Sequence, residues 1–364
     1  MTTPSALPSP FMLAHGNRVM TATGTLEQVT EETALAVARA KGSAVIGAIP
    51  FDPAQPAYLA VPDALASTEE APASVHTQPA PAYLDGLDNP GFRQAVGTAI
   101  AAMNRGDYEK VVLARLLTAS YSTPLNLPGL YSTLRVQQPR ATVFSLALPG
   151  GDYLMGASPE LVFKTTPEGF ATGPLAGSAS RTKPAGSTED AQIGEALLRS
   201  PKDRAEHATV VDDIRARLEP ITTALNVPAT PSLKATPQLW HLGTDITGQL
   251  QDGLTSLDGA RAIHPTPAIC GTPTELTRRV IDELEPFERG YFGGLVGYMD
   301  ADGYGEWYLT LRCAQVNESR AVLFAGAGIV KNSTPAGEHA ETAAKLGTFA
   351  RALGLNLELG DAKG

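Results

Sequence analysis

Residues 142–170 read TVFSLALPGGDYLMGASPELVFKTTPEGF. Two runs rich in β-branched, aromatic and leucine residues flank the turn signal Pro149-Gly150-Gly151, and a third run meets a second turn at Pro167-Glu168-Gly169. Strand, tight turn, strand predicts hairpins, and hairpins are antiparallel. Working toward the N-terminus, YEKVVLARLLTASY predicts a strand, and residues 91–105 an amphipathic helix ending near Gly106. SAVIGAIPF predicts a further strand, and the spacing over Leu26 to Ala40 fits a helix. Toward the C-terminus a long helix is expected from Thr188 to Leu225, interrupted near Pro201, then a strand leading into LWHLGTDITGQL. A helix over Pro273 to Leu284 follows. YFGGLVGYMDADGYGEWYLTLRCAQV predicts two strands about a polar turn, AVLFAGAGIV another strand, and PAGEHAETAAKL opens a last helix. Strands in hairpins with helices between the groups predict an α+β fold of antiparallel or mixed sheets, not a doubly wound parallel one. Residues 1–20 and 66–81, rich in Pro, Ala and Ser, are expected to be flexible.

Composition narrows the function. The 364 residues are 43% hydrophobic and 18% charged, enough apolar content for a sizeable core. The net charge of −10 and the lack of any Lys/Arg-rich run speak against nucleic-acid or anionic-membrane partners. No run of 18 apolar residues and no basic-then-apolar leader occurs, so the expected compartment is the cytoplasm. Cys270 and Cys313 lie far apart in apolar surroundings and are expected to be reduced core thiols.

Several groups could carry chemistry. On a helix, Glu338, Glu341 and Lys345 fall within roughly 60° of one another. Taken alone this is an ordinary solvated stripe, since an i,i+4 Glu–Lys pair contributes only a few tenths of a kcal/mol. The same i,i+3 acidic spacing recurs in SPKDRAEHATVVDD as Asp203 and Glu206. Two helices that each offer carboxylates suit a hard cation such as Mg²⁺, which keeps waters and substrate oxygens in its shell. Glu160, ahead of Leu161, Val162 and Phe163, is a candidate for a raised pKa and so for a general acid. Lys110 heads an apolar strand, where a lysine can serve as a base. Gly177 with Ser178, and Gly326 with Gly328, could aim N–H groups at a carboxylate. DADG at 300–303 lacks the rest of a calcium loop and reads as a turn.

Taken in order, KVVLAR, ASPELVF, PLAGSASR, KDRAEH, LWHL, HPTPAICG, ELEPFERGYFGGLVGY, GEWYLTLRCA, LFAGAGIV and GEHAETAAKL resemble the chorismate-utilising enzymes. That family includes isochorismate and salicylate synthases and the large subunits of anthranilate and aminodeoxychorismate synthases. The best-matched core is 105–352. The resemblance implies a single chorismate-binding domain over 1–364, with two stacked, mostly antiparallel sheets flanked by helices and a cleft between the sheets. It also implies Mg²⁺ on a substrate carboxylate, with Glu206 and Glu341 as ligands and Asp203 and Glu338 as outer partners through water. Lys110 would activate water and Glu160 would protonate the departing hydroxyl. Gly177, Ser178, Ala268, Arg312, Gly326 and Lys345 would hold the carboxylates, and His241 would line the cleft near the ring.

Finer wording separates members of the family. The lysine of a PIKGT-like motif is replaced by Ala176 in PLAGS, which disfavours aminodeoxychorismate chemistry. PTPAICG carries Ile269 where anthranilate and salicylate synthases resemble each other in having threonine. The chain is most similar to isochorismate synthases, isomerases that feed siderophore or menaquinone synthesis. This implies a monomer with no glutamine amidotransferase subunit. Salicylate synthase, anthranilate synthase component I and a non-catalytic chorismate-binding protein are the alternatives.

Overall fold

The computed structural model describes residues 7–72, 74–235 and 239–357. The chain divides into two compact units, one of Met1–Glu160, Ile269–Asp302 and Tyr308–Gly364, the other of Leu161–Ala268 and Gly303–Trp307.

Among the described residues of the first unit the strands pair antiparallel, as the hairpin pattern predicts. Leu295–Met299 pairs with Val45–Ile49, which pairs with Tyr58–Glu69, then Arg18–Val29, Phe11–His15 and Thr142–Ala147. The ladder continues through Tyr153–Ser158, Cys313–Val316, Arg320–Ile329 and Lys110–Ser120. Gly150 and Gly151 make the turn of the 142–158 hairpin with φ of 98° and 92°, a left-handed conformation that disfavours side chains. Among the described residues, the outer edge of Lys110–Ser120 is paired only at its two ends, by Gly271–Thr272 and by Tyr83–Asp85.

The helix Pro335–Ala352 packs on this sheet. Thr334 caps it, its Oγ1 accepting the Gly337 N–H at 3.1 Å, and proline occupies its first turn. Thr342, Leu346, Phe349 and Ala350, spaced for one helix face, are buried, leaving the flank with Glu338, Glu341 and Lys345 free for other work. Leu346 and Phe349 join Leu117, Tyr131, Leu134, Met155 and Leu323 in one core.

The second unit is also antiparallel. Leu161–Thr166, Gly169–Thr172, Ile246–Leu250 and Thr222–Asn226 pair in that order. Leu175–Ser180, Leu239–Gly243 and Ser232–Ala235 form a separate small sheet. Helices Thr188–Arg199, Pro201–Leu218 and Ser256–Ile263 accompany them. Phe163 stacks on Phe170 at 5.1 Å, and Gly259 keeps the helix beside them clear, since a Cβ there would fall 2.1 Å from Phe163.

Four expectations need correction. Leu26 belongs to the Arg18–Val29 strand, and the helix starts only at Glu31, after the Thr30 cap. The long helix ends at Leu218; Pro220 cannot donate in a continuing ladder, and Thr222–Asn226 is a strand. The 291–316 stretch gives three strands, not two, because Arg312 adopts φ 49° and breaks the extended run before Cys313. Phe11–His15 and the 66–69 end of Tyr58–Glu69 are ordered strands inside segments expected to be flexible. Residues 1–6 and 73 of those segments lie outside the described residues. Cys270 and Cys313 are free and buried, and burial pushes their thiols up to about 11 and about 12. Among the described residues no helix is long and apolar enough to cross a membrane.

Candidate active site

The Lys110–Ser120 strand organises the chemistry of the first unit. Its neighbour Arg320–Ile329 sets Gly328 opposite Val112 and Gly326 opposite Ala114. A Cβ on Gly328 would lie 3.0 Å from Lys110 Cε, so glycine there leaves the path of the lysine side chain open. Two residues along, Gly326 offers its carbonyl to Lys345 Nζ at 2.8 Å. Lys345 Nζ also meets Glu341 Oε1 at 2.6 Å. Burial pulls the Lys345 ammonium below its ordinary range, against the opposing pull of Glu341. The Glu341–Lys345 part of the stripe read from helical spacing is therefore a real contact.

Glu338 sits one turn before Lys345's partner. Its carboxyl is raised, first by burial and then by the negative charge of Glu341, while the Ser333 hydroxyl opposes the rise. Glu338 Oε2 is enclosed and has no hydrogen-bond partner. An orphaned buried carboxylate oxygen beside a second carboxylate is a donor set that suits a hard cation. Among the described residues no three His, Cys, Asp or Glu side chains are grouped as a metal cage, and Glu341 is ion-paired with Lys345.

Glu160 follows the Tyr153–Ser158 strand. Ser158 Oγ accepts its N–H at 3.3 Å and donates to Leu309 O at 2.6 Å, and Leu309 N–H donates to Glu160 O at 3.1 Å. The main chain is thus held at three points. Burial raises the Glu160 carboxyl to about 7, and the Arg312 guanidinium moderates the rise. Burial in turn lowers Arg312, with the charges of Glu341, Cys313 and Glu160 opposing it. Arg312 therefore feels both the candidate acid and the carboxylate helix. These groups form one electrostatic set: Glu160, Arg312, Glu338, Glu341 and Lys345.

The second unit holds the other predicted residues. In its small sheet Ser178 is in register with His241, and Ser178 Oγ lies 2.7 Å from His241 Nδ1. Burial lowers the His241 imidazole, favouring its neutral form. Register shifts between Leu175 and Ser178, where Gly177 takes φ 78°. A Cβ on Gly177 would come 3.1 Å from Asp203 Cβ, so the bulge seats against the first turn of Pro201–Leu218. Ser200 caps that turn by accepting the Asp203 N–H at 3.3 Å, and its hydroxyl bonds the Asp203 carboxylate. Glu206 lies three residues on along the same helix. Ala268 is the last residue of this unit before the chain re-enters the first.

Three groups went unnoticed in the sequence. Arg115, on the Lys110 strand, is 2% exposed and donates to Thr342 Oγ1 at 2.8 Å and to Gly86 O at 2.9 Å. It ties the Glu338–Lys345 helix to the strand of Lys110, and burial lowers it to about 10. Asp190, in the second unit, is bridged by Arg181 and by Trp240 Nε1, whose neighbour in the chain is His241. The third is the buried pair Glu285–Arg289. A charge inside the apolar run VVLARLL was a signal for Arg115 but not for the carbonyls it serves; Asp190 and the Glu285–Arg289 pair lie in polar stretches, STEDAQ and DELEPFERG, that carry none.

A family model described as chorismate binding enzyme matches residues 57–354. The isochorismate synthase EntC of Escherichia coli K12 is 39% identical over 324 residues, covering 87% of this chain and 82% of that protein. The isochorismate synthase DhbC of Bacillus subtilis is 36% identical over 384 residues, covering 96% and 94%. The crystal structure of DhbC from Bacillus anthracis superposes with a TM-score of 0.84 at 36% identity, covering 96% of each chain.

Proposed function

The chain belongs to the chorismate-binding enzyme family, and from that premise we propose that it is an isochorismate synthase. Support comes from the relatives named isochorismate synthase, and from one feature of the site above all. Glu160 is a carboxylic acid raised to about 7, so at neutral pH about half of the molecules still hold a proton to give.

In this reading Lys110 takes a proton from a water molecule as its oxygen bonds to C2 of chorismate. The ring double bonds shift, the bond from C4 to its hydroxyl breaks, and Glu160 protonates that oxygen so that it leaves as water. One water enters and one departs, so substrate and product are isomers. Lys345, Arg312, Ala268 and the backbone at Gly177, Ser178 and Gly326 hold the carboxylates, and His241 lines the ring. Mg²⁺, when bound, neutralises a substrate carboxylate; Glu206 and Glu341 would hold it, with Asp203 and Glu338 behind them through water. The orphaned Glu338 oxygen supports that assignment. The nucleophile is water rather than ammonia, so no glutamine amidotransferase subunit is needed. The full chain acts as one chorismate-binding domain, a monomer in the cytoplasm.

The test is incubation of purified protein with chorismate, with Mg²⁺ and with EDTA, followed by chromatography. Isochorismate formed only with Mg²⁺ is expected. Salicylate and pyruvate as products would replace this reading with a salicylate synthase. Binding of chorismate without turnover would leave a non-catalytic binding protein.

A further inference from the structure

The motif ELEPFERG plays no part in the mechanism above, yet two of its charged residues are buried. The side chains of Glu285 and Arg289 are 2% and 3% exposed. Arg289 Nε and Nη2 meet the two Glu285 carboxylate oxygens as a fork, at 2.9 and 2.5 Å. The guanidinium lies 4.3 Å from the Phe51 ring centroid and 5.9 Å from that of Phe292. A buried pair of this kind gives little net stability over an apolar replacement, so its presence asks for another reason.

That reason lies in what else the pair touches. Among the described residues, the outer edge of Lys110–Ser120 has strand partners only at its ends. In the gap, Glu285 Oε1 accepts the Ala114 N–H at 2.7 Å, and Arg289 Nη2 donates to Val112 O at 2.7 Å. The pair stands in for a missing strand. Arg289 Nη1 also donates to Ile269 O at 3.1 Å, and Cys270 O accepts the Val112 N–H at 2.9 Å. One guanidinium therefore grips the strand that begins with Lys110 and the segment that follows Ala268. A lysine could not make these contacts together, because its ammonium has no planar fork.

We propose that Arg289 and Glu285 are positioning residues for the reaction, holding the strand of Lys110 in register with the Ile269–Thr272 segment. This rests on the assignment of Lys110 as the base. Neither side chain needs to touch substrate. Displacing a base by about 1 Å can lower a rate about 10²-fold, and the loss falls on kcat rather than on binding.

The double variant E285Q/R289M tests this without leaving a buried charge unpaired, and the amide oxygen introduced by E285Q can still accept from the Ala114 N–H. R289K is the second variant. Both are measured with chorismate and Mg²⁺, with rates referred to folded protein by circular dichroism. The expected result is a fall in kcat of about 10²-fold with KM within about threefold of wild type, and a pH profile of unchanged shape. A kcat per folded molecule within about twofold of wild type would overturn the proposal. A loss appearing only in KM would overturn it too. Hydrogen exchange over residues 110–116 gives an independent reading: faster exchange in the double variant is expected, and unchanged exchange would count against the grip. If wild-type protein fails to turn over chorismate, the assigned activity falls, and exchange alone decides whether the pair holds the strand.

Discussion

Replacing Glu160 by glutamine addresses the acid half of the reaction. Burial raises the carboxyl from its ordinary 4.5 to about 7. With that value about half of the molecules carry the proton at pH 7 and about a tenth at pH 8. An ordinary glutamate at pH 8 would be protonated in fewer than about one molecule in 10³. The environment therefore supplies on the order of 300-fold more acid at pH 8. Wild-type kcat should fall about tenfold per pH unit above pH 7 to 8. Glu160→Gln should lose that limb and lower kcat on the order of 10²–10⁴-fold. Arg312 sharpens the test. Its charge holds the Glu160 value down, so Arg312→Asn should move the limb to higher pH, whatever it does to KM. Asparagine is chosen because it tolerates the φ of 49° at this position. The same shift bears on stability. The folded-state value lies above the ordinary one, so burying Glu160 is free of penalty below pH 4.5 and increasingly unfavourable as pH rises through about 7. The rise corresponds to at most about 3 kcal/mol, less the part screened by residual solvent contact. Urea titrations should show wild type losing stability relative to Glu160→Gln between pH 5 and 8. Rates flat from pH 6 to 9, or a Glu160→Gln enzyme with near-normal kcat, would refute the assignment.

Lys110→Ala should lower kcat on the order of 10²–10⁴-fold while calorimetry still shows chorismate binding within a few-fold of wild type. Glu341→Gln should raise the Mg²⁺ concentration for half-maximal rate by about tenfold or more, read by titrating metal into EDTA-treated protein. Phe349→Ala removes a side chain 1% exposed at the centre of the core. It should cost about 3–5 kcal/mol in urea unfolding while kcat per folded molecule stays near wild type.

Much of the fold is legible wherever one local signal dominates. Gly150-Gly151 sets the central hairpin, and Asn89 and Gly106 bound the helix Pro90–Arg105. The failures come where two periods fit one segment. Leu26 and Val29 suit a helix by spacing, yet they pair across to Pro62 and Leu59. Thr222–Asn226 looked like a helix end until its pairing with Ile246–Leu250 claimed it. Pairing partners lie far away in sequence, and local pattern cannot see them. The site divides in the same way. Helical spacing alone places Glu341 and Lys345 together, and they lie 2.6 Å apart. Arg115 and Arg289 escape notice because their roles depend on carbonyls of Gly86, Val112 and Ile269, which carry no side-chain signature.

The central claim is that water supplies the new hydroxyl at C2 while the old one leaves C4 as water. Turnover of chorismate and Mg²⁺ in ¹⁸O-enriched water, with mass analysis of the isolated isochorismate, tests it most directly. The account predicts one ¹⁸O per product molecule, on C2, and none in Glu160→Gln samples that fail to turn over. Isochorismate carrying only ¹⁶O would contradict it, since the hydroxyl would then have moved within the substrate.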